Sequence, residues 1–305
     1  MGIIVNGSAV EHIPVLANIL AEQIDLPPDG VMVDATIGQG RHSLLFGQRL
    51  GPDGVVIGLD VDEKSIRRAH FMLKDLTCKV ILICENFSEI SSEVRKQGVE
   101  KVDFILADLG VSSAQLEDGQ MGLSFQINMP LDMRMDKRLK RTAADIVNET
   151  DEKSLADLIY KFGQERASRR IARFMVRNRG RQAITTTGQL AAIICSALGQ
   201  PEQKRKSRIH PATRTFQALR IAVNNELGNL EKLLASGPEL LKENGRIAVI
   251  SFHSLEDRLV KNNFRQNEKN GFYRVITKKP IAPSHEEIAA NPRARSAKLR
   301  IAQRQ

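Results

Sequence analysis

The chain has 305 residues, of which 42% are hydrophobic and 27% are charged, so it is a globular protein rather than a disordered or collagen-like chain. Its longest nearly apolar run, Leu190–Leu198, has nine residues, well short of the roughly 20 that a membrane span needs. The N-terminus has no basic region ahead of an apolar stretch. The three cysteines follow no metal-ligand spacing and predict neither a disulfide framework nor a zinc site. We therefore expect a cytoplasmic protein without a membrane anchor, and we assign no metal ligands, while the question of whether a metal assists stays open.

Positive charge is concentrated in the second part of the chain. Residues 1–110 contain 10 basic and 16 acidic side chains, whereas residues 111–305 contain 35 basic and 20 acidic ones. The net charge of plus 15 over the second part predicts a polyanionic partner for it.

The first third of the chain alternates between strand and helix patterns. Short apolar runs rich in β-branched residues predict strands at Val31–Ala35, Val55–Leu59, Val80–Ile83 and Val102–Ala107. Helices are predicted between them, at 44–50 and at 63–76. A fifth strand is predicted at Arg246–Phe252, with weaker strand signals at 273–277 and 298–302. Buried strands separated by helices are typical of a parallel, doubly wound α/β sheet.

Between the fourth and fifth strands the pattern is helical. Apolar periodicity and capping residues predict helices at 151–163, 185–199 and 211–234. We therefore predict a discontinuous sheet domain at 1–112 and 210–305, interrupted by a helical inserted domain at 113–209.

A glycine turn and an acid at a strand end predict a ligand site, because ligands of open α/β sheets bind at the carboxyl ends of the strands. Gly38 and Gly40 follow the first strand, and Asp60 ends the second strand 22 residues after Gly38. This spacing suits a nucleoside-containing cofactor whose ribose hydroxyls donate to Asp60. A dinucleotide fingerprint usually has a third glycine at position 43, where this chain has Ser43. This departure weakens the interpretation of the turn as an NAD site. The alternatives are a tight strand-to-helix turn for the glycines and a helix cap for Asp60.

Two more strand ends carry residues of interest. Phe87 follows the third strand, where its ring would either stack on an adenine or belong to the core. Asp108 ends the fourth strand, where substrate and cofactor would meet. The alternative for Asp108 is a cap of the following turn.

Seven strings, which together span nearly the whole chain in order, closely resemble the RsmH (MraW) family of bacterial 16S rRNA cytosine N4-methyltransferases. They are HIPVL (12–16), DATIGQGRHS (34–43), DLGVSSAQL (108–116), PLDMRMD (130–136), IHPATRTFQALRIAVNNEL (209–227), SFHSLEDRLVK (251–261) and NPRARSAKLR (291–300). The resemblance implies a Rossmann-like class I S-adenosylmethionine-dependent methyltransferase fold with an inserted helical domain. It also implies N4-methylation of a P-site cytidine, cytosine 1402 of 16S rRNA in the small ribosomal subunit.

The resemblance further implies S-adenosyl-L-methionine as the cofactor. Its contacts, carried over position by position, are Gly40, Arg41, His42, Asp60, Phe87, Asp108 and Gln115, to which the glycine turn adds Gly38. The chain departs from the family at Arg41, where a second glycine is usual, and at 128–129, where Asn-Met replaces an Asp-Gly pair.

The expected chemistry needs an acceptor for the exocyclic amine of cytosine, which is a weak nucleophile because its lone pair is delocalised into the ring. We expect Asp108 to accept a hydrogen bond from this amine and to hold it in line with the sulfonium methyl group. A covalent route would need an activated cysteine near the site. Cys78 and Cys84 fall on or beside the third strand and Cys195 in a predicted helix, so none is favoured.

An arginine-rich segment is predicted to hold RNA phosphates. Five arginines fall within a narrow sector of a predicted helix and repel one another unless a polyanion lies opposite: Arg166, Arg169, Arg170, Arg173 and Arg177. The alternative is a solvated helix face. The basic segments 204–214 and 292–300 are further RNA-binding candidates, and His210 and His253 are either pocket residues or helix caps.

The expected function is therefore methylation of 16S rRNA in the small ribosomal subunit, with the oligomeric state open between a monomer and a homodimer. A catalytically impaired ribosome-assembly factor that keeps the fold and the cofactor pocket is one alternative, based on Arg41 and the Asn-Met pair at 128–129. A nicotinamide dehydrogenase is another, but only the glycine turn and Asp60 favour it.

Overall fold

A computed structural model describes residues 14–112, 115–116, 118–200 and 210–305. The chain divides into two compact units, one comprising Met1–Leu109 and Leu233–Gln305 and the other Gly110–Lys232. We call them the sheet unit and the helical unit. His12 of the first string and residues 204–209 of the basic segment lie outside the described residues.

The sheet unit contains a seven-stranded sheet with the order β3-β2-β1-β4-β5-β7-β6. Its strands are β1 (Val31–Asp34), β2 (Val55–Leu59), β3 (Lys79–Ile83), β4 (Val102–Asp108), β5 (Leu241–Ser251), β6 (Tyr273–Val275) and β7 (Lys298–Arg304). The first five strands pair in parallel, whereas β7 runs antiparallel to both β5 and β6. The predicted parallel, doubly wound α/β sheet is confirmed.

One apolar cluster packs the first two helices against the centre of the sheet. It includes Leu20 of the first helix, Phe46 of the second, and Met32, Phe104 and Ile250 of β1, β4 and β5. The rings of Phe46 and Phe104 meet edge to face with their centroids 5.1 Å apart. This packing places the start of the second helix just beyond the end of β1. The helices of the sheet unit are α1 (Ala17–Gln23), α2 (Arg41–Gly47), α3 (Glu63–Leu73), α4 (Ile90–Lys96), α11 (Ser254–Lys269) and α12 (His285–Ala290).

The helical unit has its own apolar core, to which five helices of its described residues contribute. These are α5 (Ala143–Glu149), α6 (Glu152–Gly163), α7 (Ser168–Arg179), α8 (Thr187–Leu198) and α9 (Thr213–Asn224). A further helix, α10 (Glu226–Leu240), starts in the helical unit and ends in the sheet unit. Across the described ranges, no helix combines the length and the hydropathy that crossing a bilayer requires.

The helical unit ends later than the sequence predicts. Residues 210–232 are expected to belong to the sheet domain, but Phe216, Leu219 and Val223 of α9 are part of the core of the helical unit. The single helix predicted over 211–234 is also divided, because Asn225 has a φ of 49° between α9 and α10. An apolar stripe predicts that one face is buried, but it does not specify the core in which that face lies.

Candidate functional site

The carboxyl ends of four neighbouring strands bring together the predicted site residues of the sheet unit. The glycine turn follows β1, Asp60 follows β2, Phe87 follows β3 and Asp108 ends β4. Because β3, β2, β1 and β4 are consecutive in the sheet and parallel, these residues lie along one edge. Gln115 belongs to the helical unit, where it is buried and its side-chain oxygen accepts from the backbone N–H of Ser112 at 2.9 Å.

The two glycines of the turn have different roles. Both have positive φ angles, 51° at Gly38 and 81° at Gly40, which other residues adopt only with strain. A Cβ atom at Gly40 would lie 3.3 Å from the Cα atom of Ala69 and 3.2 Å from Leu73, so this glycine lets the turn approach α3 closely. A Cβ atom at Gly38 would have only the carbonyl oxygen of Thr36 nearby, at 3.8 Å. Gly38 therefore borders open space that a ligand can enter.

Asp60 holds the glycine turn through both of its carboxylate oxygens. Oδ2 accepts from the backbone N–H of Gly38 at 3.0 Å, and Oδ1 accepts from that of Asp62 at 2.9 Å. The cap of α3 is Asp62, whose side chain accepts from the backbone N–H of Lys64, so the helix-cap alternative does not apply to Asp60. Burial raises the pKa of Asp60 to about 6. Each carboxylate oxygen can accept a second hydrogen bond, which leaves capacity for ribose hydroxyls.

A buried network behind the turn is not predicted from the sequence. Asp34 at the end of β1 accepts from the Ser43 hydroxyl at 2.7 Å and from the backbone N–H of Thr36 at 3.2 Å. Burial raises the pKa of Asp34 to about 6, against the opposing effect of nearby His42. In the sequence, Ser43 stands out only as a departure from a dinucleotide fingerprint. The signal that could have found the network is an acid before the turn and a hydroxyl at the start of the helix after it.

His42 and Asp108 face each other at the edge of the sheet. Nδ1 of His42 lies 3.6 Å from Oδ2 of Asp108, and Nε2 lies 2.9 Å from the carbonyl oxygen of Val15. Because a carbonyl oxygen only accepts, Nε2 carries the ring proton, and in the neutral ring Nδ1 presents its lone pair to Asp108. Burial lowers the pKa of His42 and raises that of Asp108 to about 7.

Among the described residues, the second carboxylate oxygen of Asp108 has no hydrogen-bond partner. The backbone N–H of Asp108 donates to the Thr36 hydroxyl at 2.7 Å, which fixes the residue at the end of its strand. Within the described part of the chain, Oδ1 is buried and makes no hydrogen bond, although the side chain as a whole is 25% exposed. An unsatisfied buried acceptor is costly. Oδ1 therefore offers an unused acceptor to the N–H group of a ligand.

The other two predicted cofactor residues of the sheet unit flank this edge. Phe87 is half-buried and begins a short 3-10 helix that Asn86 caps by accepting from Ser88 at 2.9 Å. Arg41 is the first residue of α2 and is half-buried.

The predicted arginine face lies on α7 of the helical unit. All five arginines are at least partly exposed, but Arg166 precedes the helix, which begins at Ser168. Nε of Arg173 lies 3.6 Å from Oε1 of Glu152. On the opposite face of α7, Ile171 and Met175 are buried in the core of the helical unit. We keep the name arginine face for the residues Arg166, Arg169, Arg170, Arg173 and Arg177.

Three other basic or polar candidates have structural contacts. Arg300 of the segment 292–300 is buried in β7, and its Nε donates to Asp257 at 2.7 Å. His253 caps α11, since its Nδ1 accepts from the backbone N–H of Glu256 at 3.3 Å. His210 stacks on Phe125 with the ring centroids 4.4 Å apart. Each of these contacts joins residues of one unit.

The departure from the family at 128–129 likewise has a structural role. Asn128 accepts through its side chain from the backbone N–H of Gly188 at 3.0 Å, at the start of α8. Met129 is buried, and its backbone N–H donates to the Thr187 hydroxyl at 3.0 Å. The pair anchors the preceding loop to α8 within the helical unit.

Comparison with known proteins identifies the family. The model of the MraW methylase family matches residues 9–305. Ribosomal RNA small subunit methyltransferase H of Clostridioides difficile is 43% identical over 308 residues, covering 96% of this chain and 98% of that protein. The protein of the same name from Cyanothece sp. is 49% identical, and the match covers 96% of this chain and 94% of that protein. The one from Acidobacterium capsulatum is 47% identical, and the match covers 96% of this chain and 98% of that protein. The chain therefore belongs to the MraW methylase family, and it is a methyltransferase of the Rossmann-like class I fold with S-adenosylmethionine as its cofactor.

Proposed function

We propose that the protein transfers the methyl group of S-adenosylmethionine to N4 of a P-site cytidine, cytosine 1402 of 16S rRNA, in the small ribosomal subunit. The observation that carries this proposal is Oδ1 of Asp108, which lies at the strand end beside the glycine turn and has no hydrogen-bond partner in the part of the chain that the structure describes. An exocyclic amine needs an acceptor of this kind. The names of the relatives, which specify the small-subunit rRNA, support the substrate class.

The residues along the sheet edge fit the cofactor. The open space at Gly38 admits a ligand close to the backbone, and Asp60 would hold the ribose hydroxyls. Phe87 would lie beside the adenine, and Arg41 and His42 would line the turn after Gly40. Gln115 of the helical unit stays a prediction from the family resemblance. When bound, S-adenosylmethionine supplies an electrophilic methyl group on a positively charged sulfur.

In the proposed reaction Asp108 positions the amine and later takes its proton. The carboxylate accepts from N4–H, which orients the nitrogen lone pair toward the methyl carbon. Transfer of the methyl group would leave positive charge on N4, and the nearby carboxylate of Asp108 would stabilise this charge. The N4 proton then passes to Asp108. A pKa of about 7 makes Asp108 a stronger base than an ordinary carboxylate.

The rate of methyl transfer is expected to rise with pH and then to level off. Asp108 must be ionised to take the N4 proton, and its pKa in the free protein is about 7. The positive cofactor lowers that pKa, so the midpoint should fall between about pH 5 and 7. Single-turnover rates at saturating cofactor and substrate, measured from about pH 5 to 9, test this expectation. A rate that is constant over this range would remove Asp108 from the proton transfer.

The function itself is tested with radiolabelled S-adenosylmethionine and small subunits that lack the modification. We expect one methyl group per subunit, located by mass spectrometry of nuclease fragments on N4 of the proposed cytidine. Subunits that already carry the modification serve as the control and should take up no label. Label at another nucleotide would overturn the proposed target. No incorporation, with the cofactor bound, would support the assembly-factor alternative, which also places the protein on the small subunit in the cytoplasm.

The arginine face is proposed to bind rRNA phosphates. Changing Arg169, Arg170 and Arg173 together to glutamine removes three exposed charges and keeps good helix formers. The variant should bind S-adenosylmethionine normally and the subunit more weakly at moderate salt. The slope of log affinity against log salt should shrink by a little under one for each phosphate that the variant no longer binds. Filter binding over a salt series measures this slope.

A matched control removes three basic residues from α11 of the sheet unit. Arg258→Gln, Arg265→Gln and Lys269→Gln together change the net charge by the same amount at a different place. If both triple variants lose the same affinity, only the overall charge matters. If the α7 variant has the affinity and salt slope of the wild type, the arginine face is a solvated surface.

A further inference from the structure

A shallow groove on the sheet unit has no role in the chemistry described above. It has a volume of about 480 Å³ and lies between the glycine turn and the outer face of α3. Gln39 lines it from the turn, and α3 contributes Lys64, Arg67, Arg68, Phe71 and Met72. Because Gln39 is the residue between Gly38 and Gly40, one end of the groove is part of the cofactor turn.

Phe71 is the unusual residue of this groove. Its side chain is 69% exposed, although Leu73, two residues further along the helix, is buried. The ammonium group of Lys74 lies 4.5 Å from the centre of the Phe71 ring, within the range of a cation–π contact. An exposed aromatic ring beside cations is the combination with which proteins stack the bases of single-stranded nucleic acids.

The groove around Phe71 is lined by positive charge, although residues 1–110 as a whole carry a net negative charge. Residues 1–110, with 10 basic and 16 acidic side chains, carry a net charge of minus 6, yet three cationic side chains of α3 line the groove, Lys64, Arg67 and Arg68. Arg67 pairs with Glu63 at 3.4 Å, but both side chains are largely exposed, and such pairs contribute little. The groove therefore combines a flat apolar surface with positive charge.

We propose that this groove binds a single-stranded nucleotide of the RNA substrate, with the base stacked on Phe71 and the adjoining phosphates held by Lys64, Arg67 and Arg68. The inference rests on the proposed function, because that function supplies the RNA. The target base must be unstacked or already single-stranded to reach the site, and in a single-stranded substrate the nucleotides beside it are unpaired too. A stacking surface that starts at the cofactor turn would hold one such neighbour.

The test compares Phe71→Ala with Phe71→Trp. We measure the affinity for unmodified small subunits, the affinity for a single-stranded RNA fragment around the target, and the affinity for S-adenosylmethionine. Phe71→Ala should weaken both RNA affinities at least about five-fold, whereas Phe71→Trp should keep them, because either aromatic ring can stack. Cofactor affinity should not change. Phe272→Ala is the matched control, since Phe272 is also exposed and has Arg304 over its ring.

A second variant tests the charges. Arg68→Gln should lower the salt slope for the single-stranded fragment by about 0.7, the value for one phosphate contact on a single strand. RNA affinities of Phe71→Ala equal to those of the wild type would overturn the proposal, and so would an equal loss in Phe272→Ala. Loss of self-association in Phe71→Ala, with RNA affinity unchanged, would overturn it in favour of an interface between copies. If the wild type binds RNA through Phe71 but methylates no subunit, the groove is supported and the proposed function fails.

Discussion

Replacing Asp108 with asparagine is expected to lower the saturated single-turnover rate of methyl transfer about 100-fold, the usual scale for the loss of a positioned polar group at a developing charge. Asparagine keeps the shape of the side chain but carries no negative charge and cannot take the N4 proton. Saturating cofactor is required, because Asp108 is also predicted to contact S-adenosylmethionine. A rate near that of the wild type would show that the amine acceptor lies elsewhere.

The matched control for this variant is Asp103→Asn, at the opposite end of the same strand. Asp103 accepts from the backbone N–H of Val31 at 2.7 Å and from Lys242 at 2.8 Å, so its replacement should reduce stability and leave the saturated rate unchanged. Equal rate losses in the two variants would indicate a general disturbance of β4 rather than a role of Asp108 in catalysis.

Thermal unfolding separates a catalytic loss from a folding defect in Asp108→Asn. Burial raises the pKa of Asp108 from its ordinary value of 3.8 to about 7. Its contribution to stability is therefore fully present below the ordinary value and is lost as the pH rises through about 7. Asparagine does not ionise. At pH 8 the variant should unfold at the same temperature as the wild type or at a higher one, whereas a lower temperature would indicate structural damage.

Asp60→Ala is expected to weaken the binding of S-adenosylmethionine by a factor of about 5 to 150. This range corresponds to roughly 1 to 3 kcal/mol for a buried hydrogen-bonding group left without its partner. The substitution also releases the backbone N–H groups of Gly38 and Asp62, so the glycine turn becomes less well held. Calorimetry on the folded variant measures the affinity, and an unchanged value would contradict the assignment of Asp60 to the ribose.

Asp62→Ala is the control for Asp60→Ala. It removes the cap of α3 and should cost about 1 kcal/mol of stability, but the affinity for the cofactor should stay the same. If both variants lose affinity equally, the effect comes from the start of α3 and not from a contact between Asp60 and the ribose.

The structural roles of Asn128 and Met129 bear on the assembly-factor alternative. This alternative rests on departures from the family pattern, two of which anchor a loop to the start of α8. A departure that has its own packing and hydrogen bonds is no sign of impaired activity. Arg41, at the start of α2, is a departure at a predicted cofactor contact. A titration that measures the affinity for S-adenosylmethionine therefore tests its effect directly.

The first four strands, and the residues that follow them, can be read from the amino-acid sequence. The strands of a parallel sheet that is covered on both faces are short, continuous apolar runs. As a result, the predicted β1 to β4 agree with the observed strands to within about one residue at each end. Once the strands are known, parallel pairing places the glycine turn, Asp60, Phe87 and Asp108 at one edge, without any knowledge of side-chain contacts.

The surroundings of these residues depend on tertiary packing. Contacts between residues far apart in sequence place α9 in the core of the helical unit. They also pair the buried Arg300 with Asp257 and bring His42 next to Asp108. The pKa of Asp108 depends on desolvation, which the strand pattern does not report. Local periodicity specifies that a face is buried and where a strand ends. Long-range packing determines which side-chain atoms are in contact at the strand ends. It therefore also determines which carboxylate oxygen has no hydrogen bond within the protein and can accept one from a ligand.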